Sequence, residues 1–121
     1  MRLIRSFAYA LAGVKYCYIK EMNFRIHLFF TAIVIIAGIS LNISLLDWII
    51  VIGCIGTVLS LEMLNSAIEK LCDVVSLERK PQIKIIKDIA AGAVLVVAVL
   101  SSCIGAIIFL PKILNILNLV K

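Results

Sequence analysis

From Trp48 to Leu61 the chain carries no charge, and then Glu62, Asn65, Glu69 and Asp73 follow in a single run. At about 100° per residue, offsets of three, seven and eleven keep these four on one helical face. A hydrocarbon core is about 30 Å thick, and a helix rises about 1.5 Å per residue, so the uncharged run falls short of spanning it. The same helix must continue through Glu62-Met-Leu-Asn-Ser-Ala-Ile-Glu69. Glu62 is therefore expected inside the membrane near one interface, with Glu69 and Asp73 emerging into water. An ionisable group at that depth costs about 2.5–3.5 kcal/mol on insertion scales, and it marks a candidate functional site.

Composition agrees with a membrane protein, at 64% hydrophobic and 16% charged residues over 121 positions. That length is one domain. The net charge of +5 is carried by basic residues flanking apolar runs, and no nucleic-acid motif accompanies it, so a nucleic-acid partner is not expected. Cys17, Cys54, Cys72 and Cys103 have neither CxxC nor Cys/His metal spacing and read as reduced packing residues. No cleavable signal peptide is expected, because the first long apolar run starts near Leu28 and reaches spanning length.

These features predict an all-α membrane protein. Residues 1–27 are interrupted by Arg2, Arg5, Lys15, Lys20, Glu21 and Arg25, while Leu3, Phe7, Ala10, Val14 and Tyr18 recur at helical spacing. That is the pattern of an amphipathic helix on the membrane surface, or of an anchor that only sets topology. Spans are predicted over 28–46, 48–68 and 89–110. Asn42, Ser44 and Asp47 mark a tight turn, with Trp48 at the interface. Pro81 separates the second span from the third. Basic residues crowd the N-terminal segment and the 70–87 segment, whereas the tail offers Lys112 and Lys121. The positive-inside rule then puts the N-terminus in the cytoplasm and the C-terminus outside.

Every acid except Asp47 falls on the cytoplasmic side. Interfacial ion pairing explains Glu78 or Lys84 but not Glu62, which lies too deep. Phosphoryl transfer needs a hard cation held by one or two carboxylates, cations on the phosphates and a group that orients the attacking oxygen. Glu69 can hold magnesium, Lys87 can meet phosphates, Glu62 can accept a proton from a lipid hydroxyl, and Asn65 can hold that geometry. No P-loop is present. Carboxylates in spans also suit a small ion-coupled transporter, and a non-catalytic anchoring subunit is a third reading. His27, opening an apolar span, reads as interfacial packing.

The Glu-x-x-Asn-x-x-x-Glu-x-x-x-Asp stripe, joined to Lys87-Asp88-Ile-Ala-Ala-Gly-Ala-Val-Leu-Val96 and preceded by Glu21-Met-Asn-Phe-Arg-Ile-His27, resembles the prokaryotic diacylglycerol kinase family. That family includes undecaprenol kinases, and the similarity covers nearly the whole chain. The resemblance implies a homotrimeric lipid kinase of the bacterial inner membrane that uses MgATP, with sites built across neighbouring subunits. It implies Glu62 as general base with Asn65 beside it, and Glu21 and Glu69 as magnesium ligands. It also implies Arg2, Tyr9, Asp73, Glu78, Lys87 and Asp88 around the nucleotide. For Tyr9 an interfacial anchor, and for Arg2 a topology charge, are the plainer readings.

Members of the family often place Tyr-His after the acid at Glu78, where this chain has Arg79-Lys80. Two cations there can serve phosphates but cannot offer adenine an imidazole. The small residues Ala90-Ala-Gly-Ala93 lie at the expected depth of Glu62, either for helix packing or as room for a lipid head beside Ala91, while Gly53, Gly56 and Gly105 suit close helix approach. The family name points to diacylglycerol, converted to phosphatidic acid, whereas Arg25-Ile-His27 and Leu46-Asp-Trp48 look more like the undecaprenol-kinase branch.

Overall fold

The computed structural model describes the backbone of residues 1–120 and the side chains of residues 1–118. Among them the chain forms four helices: α1 (Arg2–Lys20), α2 (Met22–Ser40), α3 (Leu45–Val75) and α4 (Pro81–Val120). The last three are long and apolar enough to cross a membrane, and the protein is an integral membrane protein. Lys121, one of the two tail charges used above, lies outside the described residues.

The N-terminal segment divides nearly two turns earlier than the sequence suggests. Glu21 adopts an extended backbone (φ −105°, ψ 109°), so the helix over 1–27 is in fact α1 alone, and residues 22–27 open the first span. Arg25 makes the break tenable. Its guanidinium donates to the carbonyls of Tyr18 and Ile19 at 3.1 and 2.7 Å, satisfying orphan acceptors at the end of α1. Leu3, Phe7, Val14 and Tyr18 are exposed, as a membrane-lying face requires.

The turn between the first two spans sits at Leu41–Ser44, earlier than predicted, and Leu45, Leu46 and Asp47 belong to α3. Two local signals decide this. Asn42 takes a left-handed conformation (φ 50°), and the Ile43 N–H returns to the Gly38 carbonyl at 3.2 Å, closing α2 in a Schellman-like end. Ser44 then caps α3, its hydroxyl accepting from the Asp47 N–H at 3.1 Å. Gly38 is required here. A Cβ on it would lie 2.7 Å from Cη2 of Trp48, so only a glycine lets the indole cover the end of α2. Ile43, Val51 and Ile108 form the buried core at this end, with Trp48, Ile104 and Phe109 against them.

Pro81 is the first residue of α4, where its missing N–H costs nothing. Pro111 does not end that helix as the predicted 89–110 span implies; α4 continues through it. A membrane helix tolerates one lost backbone bond when its neighbours compensate. Lys112 lies 3.9 Å from Asp47, tying α4 to the start of α3. At about 1.5 Å per residue, α3 is about 46 Å long and must project beyond an apolar core of about 30 Å. The projecting part carries Glu69 and Asp73.

Candidate functional site

The buried polar and charged residues among those described are Glu62, Asn65 and Ser66, at 3%, 6% and 4% exposure. All three sit on α3, about three to four helical turns from the apolar core at Val51. Glu69 is half-buried one turn further on and Asp73 is exposed, so the stripe runs from the interior out to the surface. The wall opposite is made by α1 and α2. Cys17 and Phe24 are buried there, and Glu21 lies between them. Burial raises the Cys17 thiol above its ordinary pKa, and the carboxylates of Glu21 and Glu62 raise it further. That thiol stays protonated and unreactive. Lys70 pairs with Glu21 at 3.9 Å and lies 5.8 Å over the Tyr16 ring, which fixes the end of α1 against α3.

Asn65 turns its amide to the next acid along α3. Its Nδ2 donates to Oε1 of Glu69 at 3.4 Å, and its Oδ1 is buried with no partner. The reversed amide would set two oxygens against each other, so this orientation is the favoured one. Glu62 instead faces His27, whose Nε2 lies 3.6 Å from Oε2. The sequence reading gave His27 only a packing role. Nothing in helical periodicity reports that a residue near the start of α2 meets the middle of α3.

Below His27 an apolar cleft of about 360 Å³ runs along the spans, lined by Phe30, Val34, Val51, Ile55 and Val58 among others. Above the stripe a second groove, of about 640 Å³, is bounded by the end of α3, the linker and the first turns of α4. It gathers Asp73, Glu78, Lys87 and Asp88, four of the residues picked out from sequence, together with Arg79, Lys80 and Lys84. Lys87 donates to Asp73 at 2.9 Å and Lys84 to Asp88 at 2.6 Å. The densely charged groove reaches the stripe at Asp73, and the apolar cleft ends at His27, which faces Glu62.

Arg2 and Tyr9 are not brought to this site within one chain. Both are exposed, and Arg2 is about 22 Å along α1 from Cys17 at about 1.5 Å per residue. Ala91 is exposed, whereas its neighbour Ala90 and Val94 are the buried residues of that part of α4. A Cβ at Gly53, Gly56, Gly92 or Gly105 would meet nothing within 4 Å.

Among the described residues no three His, Cys, Asp or Glu side chains converge as a ready metal centre. Besides the His27 nitrogen, the groups around Glu62 include hard oxygens from Glu69, Glu21 and the unpartnered Oδ1 of Asn65. This set fits magnesium, which keeps much of its water and takes one or two carboxylates along with substrate phosphates.

A family profile described as prokaryotic diacylglycerol kinase matches residues 8–109. The chain is 41% identical over 111 residues to an undecaprenol kinase of Bacillus subtilis (strain 168), covering 92% of this chain and 90% of that protein. It is 36% identical over 116 residues to a diacylglycerol kinase of Synechocystis, covering 95% of this chain and 66% of that one. To a diacylglycerol kinase of Pseudomonas aeruginosa it is 34% identical over 92 residues, covering 76% and 75%.

Proposed function

The chain belongs to the prokaryotic diacylglycerol kinase family and is a lipid kinase, and from that premise we propose that it moves the γ-phosphoryl group of MgATP onto the hydroxyl of undecaprenol at Glu62. The observation that carries the site is the burial of Glu62 beside His27, which lines the apolar cleft, on a helical face whose Asp73 lines the charged groove. This face of α3 lies between a cleft open to a lipid hydroxyl from the bilayer and a groove open to a phosphate from water. The transporter and anchoring-subunit readings fall away with the family.

In this mechanism the Glu62 carboxylate takes the hydroxyl proton as the lipid oxygen bonds to the γ-phosphorus. The bond from that phosphorus to the β–γ bridging oxygen breaks, and ADP leaves with the electron pair. Magnesium, when bound, offsets the charge on the phosphate oxygens. Glu69, Glu21 and the Asn65 Oδ1 would hold it. Lys87, with Arg79 and Lys80, meets the phosphates. Asp73, Glu78 and Asp88 bound the same groove.

Undecaprenol is favoured as acceptor by the 41% identity to an undecaprenol kinase over nearly the full length of both chains. Conversion of diacylglycerol to phosphatidic acid is the second reading, supported by the diacylglycerol kinases that the chain also resembles. Offering both lipids together in mixed micelles with labelled ATP tests the choice. Undecaprenyl phosphate should dominate, and predominant phosphatidic acid would reverse the assignment.

The working form is proposed to be a homotrimer in the bacterial inner membrane, with the charged groove in the cytoplasm. Support comes from the distance of Arg2 and Tyr9 from their own chain's stripe, which leaves them free to complete a neighbour's groove. The open surroundings of Gly53, Gly92 and Gly105 also suit close helix approach.

A further inference from the structure

We propose that His27 is a positioning residue for the base, its Nε2–H holding Oε2 of Glu62 so that Oε1 is turned to the lipid hydroxyl. The inference rests on Glu62 being the base. A carboxylate buried in a span needs a donor to fix it, because an unheld one rotates freely and costs more to keep there. Among the described residues His27 is the basic side chain within ion-pair distance of Glu62, at 3.6 Å. Neither Asn65, whose amide is given to Glu69, nor Ser66 donates to that carboxylate. The separation is slightly longer than a hydrogen bond, as such contacts often are before substrate closes the site.

The ring also stands at the top of the apolar cleft, so one side faces Glu62 and another faces the space that leads up from the bilayer. A lipid hydroxyl entering from that cleft passes the imidazole before it reaches the carboxylate. For a neutral ring the arrangement requires the tautomer protonated on Nε2.

The test measures lipid-dependent turnover of purified full-length protein in mixed micelles for H27L, H27Q and H27N, each alone and in an E62Q background. Glutamine places an amide N–H near the position of Nε2; asparagine reaches only the Nδ1 position, and leucine offers no donor. H27L and H27N should lose about 10-fold or more in kcat with the KM for ATP unchanged, while H27Q stays within about threefold of the unmodified protein. In the E62Q background the same changes should add no further loss, because a residue acting through Glu62 has nothing left to position. Unimpaired H27L turnover, equal losses in H27Q and H27N, or losses that multiply with E62Q would each overturn the proposal. Should H27L fail to fold, the H27Q and H27N pair decides the same question. An active E62Q protein would instead remove the base itself, a result distinguishable from an inert His27.

Discussion

Lys87, near the start of α4, donates to Oδ1 of Asp73 at 2.9 Å, joining α4 to the projecting end of α3 across the linker. Both side chains are more than a third exposed, so solvent screens the pair and it adds little to the fold. Its place on the rim of the charged groove gives it a different use. Lys87→Met should therefore raise the KM for ATP by about 10-fold or more while thermal stability barely moves. An unchanged KM, or unfolding of the variant, would show the pair to be structural.

Glu62→Gln keeps the shape of the side chain and cannot take a proton. Its turnover number should fall by about 100-fold or more, with ATP affinity nearly unchanged. Single-turnover kinetics alongside nucleotide binding separate the two quantities, and near-normal turnover would remove Glu62 from the mechanism.

Glu69→Ala and Glu21→Ala should weaken magnesium dependence and nucleotide binding together, since the ion bridges carboxylate and phosphate. Titrating magnesium against activity reads this directly. If both variants keep the apparent magnesium affinity of the unmodified protein, neither carboxylate is a ligand.

Gly38→Ala tests the packing of the outer turn. The new methyl would lie 2.7 Å from Cη2 and 2.9 Å from Cζ2 of Trp48, an overlap that typically costs about 1–3 kcal/mol. Gly53→Ala, which meets nothing within 4 Å, serves as the comparison in detergent unfolding curves. Equal stability of the two variants would mean that the indole moves aside freely.

The cytoplasmic orientation proposed for the stripe is supported by the cation distribution and is open to labelling. Cysteines introduced at Ser76 and Asn118, in a background lacking the native thiols, should react from opposite sides of intact cells. Asn118→Cys should label at once with a membrane-impermeant reagent, and Ser76→Cys only after the cells are opened. The reverse order would turn the groove away from cytoplasmic ATP.

The sequence by itself determined that three apolar helices cross the membrane, that Pro81 separates the last two, and that Glu62, Asn65, Glu69 and Asp73 share a face running from buried to exposed. Those properties depend on composition and on a period of about 3.6 residues, both local along the chain. The tertiary structure decided where elements end and which residues meet. The break at Glu21 rests on Arg25 reaching back to α1, and the turn at Leu41–Ser44 on Asn42 and on Trp48 finding a glycine to cover. The Asn65–Glu69 contact is an i,i+4 pair within α3, whereas His27 meeting Glu62 and Lys87 meeting Asp73 are fixed only once the helices have packed. Periodicity tells which way a side chain faces around its own helix, whereas the rotation and depth of one helix against another come from packing, and those set the contacts between helices.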